Sequence, residues 1–178
     1  TGSIYAQDAF KALILALNSA EWRLGGRDVK LMVASPHLPA IGCKGRANVE
    51  FLGWRDGTEL RSELDKCHAG YLPYAFTADF SESARLCFAS KFTTYLEGNM
   101  PVFYHGPQDS AVGMFQEQFR TGQCCYSLQE DQILDTLGKL ADGCNRGEFE
   151  AGINRARREE FSQGVFEARV QDFLNELS

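Results

Sequence analysis

Apolar positions recur along this chain at two alternating periods. Phe10, Leu13, Ile14 and Leu17 follow the i, i+3, i+4, i+7 rule, which predicts an amphipathic helix over about Gln7–Ala20, broken at Gly25–Gly26. Val29–Ala34 is a short, nearly continuous apolar run of the kind found in strands covered on both faces. A Pro- and Gly-bearing loop, Ser35–Ala47, separates it from a strand at Val49–Leu52 that stops at Gly53. Thr58 and Glu59 open a helix carrying Leu60 and Leu64. Ala69–Pro73 is the next strand, and a long polar loop is expected from Tyr74 to Cys87.

The passage Phe88–Pro107 holds a whole loop, helix, strand and loop. Ser90 stands where a helix begins, and Phe92, Tyr95 and Leu96 give that helix an apolar face. Gly98 and Asn99 end it, Pro101 opens the strand Val102–Tyr104, and Gly106–Pro107 stops it. A hydroxyl side chain can cap free N–H groups, Gly tolerates positive φ, and Pro cannot continue a helix. Ser110–Thr121 then reads as a helix, Cys124–Ser127 as a strand and Asp131–Asp142 as a helix. The C-terminal stretch is helical in two parts. The second carries a stripe of Phe166, Val170, Phe173, Leu174 and Leu177, expected to pack on the sheet edge.

Short apolar strands alternating with helices imply an α/β domain with a mainly parallel sheet covered on both faces. Ligands of such sheets bind beyond the carboxyl ends of the strands. That rule selects the loops Gly2–Asp8, Ser35–Ala47, Gly53–Gly57, Pro73–Cys87 and His105–Ser110, with Ser90 and Lys91 directly after the fourth. A helix N-terminus with a Lys beside it is a ready site for a diphosphate.

Composition narrows the classes. A chain of 178 residues, 44% hydrophobic with thirteen Phe, suits one globular domain. The net charge of −6 includes no basic block, which argues against a nucleic-acid surface. The six Cys, at 43, 67, 87, 124, 125 and 144, have no zinc-ligand spacing and point to a reducing, cytoplasmic setting. No Asp-x-Asp pair or His/Cys cluster suggests a metal, and no cofactor is expected. No apolar run reaches membrane-spanning length, so any membrane association would be peripheral, at the inner face. The three His, at 37, 68 and 105, are expected to be structural.

Four passages carry a family resemblance. GSIYAQDAFKALILALNSA is similar to the Gly-loop and first helix of the C-terminal, donor-binding half of GT-B glycosyltransferases of the retaining group 1 class. VKLMVAS and NVEFLGWRDGTELRSELDKCHAGYLPY resemble that half's next two strands, short helix and Pro-ended strand. SKFTTYLEGNMPV resembles its donor-site helix.

The resemblance implies a Rossmann-like three-layer αβα sandwich spanning 1–178, one half of a larger enzyme whose acceptor domain precedes it. It implies binding of a nucleotide diphosphate-sugar for transfer to a glycan, lipid-linked or small-molecule acceptor, as in polysaccharide biosynthesis. The isolated half is expected to be inactive. Gly2 and Ser3 would run close to the donor phosphates, with Trp54 and Arg55 near the nucleobase. Phe88, Ala89, Ser90 and Lys91 would meet the diphosphate, and Arg85 in the long loop is a further phosphate candidate. The family's paired Glu would fall at Leu86 and Thr94, where this sequence departs; Thr94 offers a neutral contact to ribose. Asp8 stands where many members carry Lys. Those departures keep two alternatives open: a noncatalytic nucleotide-binding or interaction module of the same fold, and a sugar-nucleotide epimerase-like enzyme. The resemblance also places the family's first, central strand almost wholly ahead of Thr1, with only Thr1–Ile4 left of it, so that a chain starting there is expected to have a gap in the sheet or a very short first strand.

Overall fold

The computed structural model describes residues 5–37 and 47–176. The expected alternation is present: helices α1 (Gln7–Ser19) and α2 (Gly57–Leu64) frame the parallel strands β3 (Leu31–Ala34) and β4 (Val49–Gly53). Then follow β5 (Gly70–Pro73), α3 (Ser81–Leu86), α4 (Ser90–Glu97), β6 (Val102–His105), α5 (Ala111–Phe119) and β7 (Gly122–Cys125). Helices α6 (Glu130–Asp142), α7 (Arg146–Glu159) and α8 (Gln163–Glu176) complete the described chain.

A small antiparallel hairpin, β1 (Arg23–Leu24) and β2 (Arg27–Asp28), follows α1 and was not foreseen. Its signal was the Gly25–Gly26 pair, both at positive φ (54° and 80°), the conformation a two-residue hairpin turn demands. Two expected elements also change. The segment Tyr74–Cys87 is not one loop, because a 3-10 turn at Ala78–Phe80 leads into α3. The strand expected at Cys124–Ser127 lies two residues earlier, at Gly122–Cys125.

The parallel strands form two separate pieces, β3–β4 and β5–β6–β7. Along β6 successive side chains go to different cores, as the two-residue period of a strand requires. Val102 and Tyr104 join Phe92, Leu96, Val112, Phe119 and Ile153, from α4, α5 and α7. Phe103 joins Phe10, Leu13, Leu17, Cys125 and Ile133, from α1, β7 and α6. Burying the polar groups near β6 is offset by bonds: Gln116 Nε2 donates to the Val102 carbonyl and Thr121 Oγ1 to Gln116 Oε1. Gly122 fits because an added Cβ would lie 2.0 Å from the Val102 carbonyl oxygen.

α2 is held by a capping box. The Asp56 carboxylate accepts from the Thr58 and Glu59 amides, and Glu59 accepts from the Asp56 amide. α8 departs from expectation in the other direction. It has no buried residue, and Phe166, Phe173 and Leu174 are exposed rather than packed on a sheet edge.

Candidate functional site

The turn into α4 is built around Tyr74. Its hydroxyl donates to the Cys87 carbonyl and accepts from the Ala89 amide, both at 3.0 Å. Burial pushes the Tyr74 phenol pKa up, which keeps the hydroxyl protonated as a donor. Phe88 is pinned by edge-on contacts with Phe92 (5.2 Å) and Phe115 (5.3 Å). Residues 87–89 are thus clamped from two sides.

The helix does not begin as the sequence suggested. Ala89 is the cap residue, in extended conformation (φ −69°, ψ 123°), and no side chain caps the first turn. Ser90 is the first helical residue, and its carbonyl accepts from the hydroxyls of Thr93 (2.7 Å) and Thr94 (3.3 Å). The Ala89 amide, expected to meet a diphosphate, is already taken by Tyr74. The exposed Ser90 contributes an amide with no hydrogen-bond partner among the described residues.

Lys91 is half-buried, and desolvation pulls its ammonium below the ordinary lysine pKa. It lines one end of a cavity of about 640 Å³, together with Ala34 and Pro73, the last residues of β3 and β5. The cavity therefore reaches the carboxyl ends of both parallel pieces at the point where α4 starts. Its lining includes the apolar Phe10 and Leu13 from α1 and Leu64 and Tyr95 from α2 and α4, with Arg27, Lys30, Glu63 and Arg146 among its charged members.

The other predicted residues are more scattered. Trp54 is 67% exposed just after β4, and Arg55 beside it donates to the Trp54 carbonyl at 3.1 Å. Arg85 lies on α3 rather than in a loop and faces the Asp109 carboxylate at 4.0 Å, both side chains well exposed. Thr94 sits one turn into α4, its hydroxyl returned to its own helix. Gly2 and Ser3 lie outside the described residues, as does most of the expected Ser35–Ala47 loop. The structure thus brings Phe88 to Lys91 together at one corner.

The roles of two contributors, Tyr74 and Asp8, escaped the sequence reading. Tyr74 left the trace of an aromatic directly after a strand-ending Pro. Asp8 left the trace of an acid in a helix's first turn. The Asp8 carboxylate accepts from the Phe76 amide at 2.8 Å and the Ala9 amide at 2.9 Å, tying the start of α1 to the segment after β5. His105 is structural, as expected. It is fully buried, its Nε2–H donates to the Ser127 carbonyl at 2.8 Å, and its Nδ1 accepts from the Tyr71 hydroxyl at 3.1 Å. Burial lowers its pKa, with the Ser127 carbonyl and Asp8 opposing.

The chemistry gathered at this corner is of the kind that favours an anion over a cation. A first-turn amide and a partly desolvated ammonium stand on adjacent residues there, and each favours negative charge. Among the described residues, no group of three or more His, Cys, Asp or Glu is placed to hold a metal ion. No described helix is long and apolar enough to cross a membrane. Comparison with known protein families, curated proteins and solved structures yields no match.

Proposed function

We propose that the chain is a Rossmann-like, three-layer αβα donor domain of a GT-B glycosyltransferase, binding a nucleotide diphosphate-sugar at the start of α4. One observation carries the reading: the half-buried Lys91 ammonium stands on the first turn of α4, in a cavity that reaches the carboxyl ends of β3 and β5. The Ser90 amide and Lys91 meet the β-phosphate, whose charge grows as the sugar leaves. Donors aimed at that charge favour the transition state over the ground state. Trp54 and Arg55 flank the base, and Arg85 adds a second cation once released from Asp109. Thr94 reaches ribose only by giving up its bond to the Ser90 carbonyl. The parent enzyme is a retaining, cytoplasmic transferase of polysaccharide assembly, and its acceptor domain lies on another segment.

Calorimetric titration with UDP, GDP and their sugars tests the reading. Saturable binding is expected. Lys91→Met is expected to weaken it by about tenfold or more, the scale of one hydrogen bond to a charged group. Absence of saturable heat from every nucleotide, or equal affinity in Lys91→Met, would sink the assignment. A noncatalytic module of the same fold is the second reading. It is favoured by Leu86, 75% exposed where the family carries a Glu. Nucleotide binding without donor hydrolysis or transfer in the full-length protein would select it.

A further inference from the structure

Helix α8 turns its apolar side outward: Phe166 is 69% exposed, Phe173 59%, Leu174 50% and Val170 41%. Phe166, Val170 and Phe173 recur at spacings of four and three, the seam of a two-helix coiled coil. Leu174 widens that seam on one side. Fourteen residues make a rod about 21 Å long. The rod is held to the body near its start. Phe161, just before it, packs on the rings of Phe88 (6.0 Å) and Phe115 (5.7 Å), and Arg169 pairs with Glu160. These contacts fix the heading of α8 and leave the seam facing solvent.

The charges beside the seam say what can cover it. Arg169 and Glu176 lie seven residues apart, two helical turns, and so share one flank. About 10 Å of rise separates them, too far for pairing within the helix. A second α8 laid antiparallel, with Val170 opposite Phe173, brings each Arg169 beside the Glu176 of the other copy. Both side chains lean toward the N-terminus of their own helix, so across an antiparallel pair they converge. A twofold axis makes the ion pair twice. The parallel arrangement sets Arg169 against Leu174 and forms neither pair. Glu167 on the other flank is already engaged, accepting from Gln163 Nε2 at 2.7 Å. Arg169 keeps Glu160 as well, because a guanidinium has five N–H donors. A bilayer is a poor match: Glu167, Asp172 and Glu176 outnumber Arg169, and anionic headgroups repel them.

We propose that α8 is a self-association surface, pairing antiparallel with α8 of a second copy of this chain. Phe173 of one copy packs on Val170 of the other, and the Arg169–Glu176 pairs close one flank. A Phe ring buries roughly 150–250 Å² when fully covered, and the two copies bring four such rings. With Val170, Leu174 and the charged stems, the total approaches the ~1,200 Å² at which stable interfaces begin. Association in the micromolar range is therefore expected. Self-association is independent of the donor reading, since α8 supplies no residue to the cavity at the start of α4.

Sedimentation velocity from low to high micromolar concentration tests the pairing in the 178-residue chain. A monomer–dimer equilibrium is expected. Phe173→Glu should weaken it by about a hundredfold, the scale of an interface hot spot. Helix content and the Tm of dilute protein should stay unchanged in that variant, because no residue of α8 is buried. Arg169→Glu and Glu176→Arg should each weaken association by about tenfold, since like charges then meet twice. Mixing those two variants should restore the wild-type affinity, because each carries the charges that complete the other. Such recovery separates pairing between copies from loss of the Arg169–Glu160 contact within one. A chain that stays monomeric throughout would overturn the proposal. So would a dimer indifferent to Phe173→Glu, or no recovery on mixing. A monomer that instead floats with phosphatidylcholine vesicles would overturn it in favour of lipid.

Discussion

β6 and β3 are both four-residue strands in parallel ladders, yet every residue of β6 is buried and only the last two of β3 are. β4, the outer neighbour of β3, has no buried residue at all. The difference follows from edges and cover. β6 pairs on both sides and receives α4, α5 and α7 on one face and α1 and α6 on the other. β3 pairs only with β4 among the described residues, and its other edge borders the cavity. A strand gains burial mainly from its neighbours, so β3, with four apolar residues, is less buried than β6, which includes His105.

The largest expected effect is at the β6 half. Phe92 is fully buried, and Phe92→Ala should lower unfolding free energy by about 3–5 kcal/mol in urea titration. Next comes Gly122→Ala, whose new Cβ would strike the Val102 carbonyl and force β7 from β6. A loss of about 3 kcal/mol is expected by the same measurement. A loss under 1 kcal/mol at either site would erase the contrast between the halves.

A pH experiment sharpens it further. The buried His105 has a folded pKa below the ordinary 6.5, so the unfolded chain takes up the proton first as pH falls. Its contribution is complete above about 6.5 and is lost as pH drops through the lower folded value. Unfolding free energy should therefore fall between pH 7.5 and pH 5, and fall less in His105→Gln. An equal drop in both proteins would assign the pH dependence elsewhere. The smallest effect is expected at β4: Phe51 is 41% exposed, and Phe51→Ser should change stability by less than about 0.5 kcal/mol.

Much of the fold was legible because its signals are local. The spacing of Phe10, Leu13 and Leu17 made α1 readable, and the run Val102–Tyr104 made β6 readable. The candidate corner was legible only in part. Ser90 and Lys91 were marked by their position after a strand, but the Tyr74 clamp joins residues 13 and 15 positions apart. No period in the sequence encodes that closure. The apolar stripe of α8 misled for the same reason. Period shows that a helix has an apolar face, and only three-dimensional packing shows whether anything covers it.

Residue order by itself determined most of the helices and strands, though not the β1–β2 hairpin or α3, and the mainly parallel character of the fold, since turn chemistry and apolar period act over a few neighbours. Tertiary structure alone decided that the Ala89 amide is occupied, that Lys91 is desolvated, and that two strand edges face one cavity. Those outcomes depend on groups distant in the chain competing for the same space and the same hydrogen bonds, and that competition is settled only when the chain is folded.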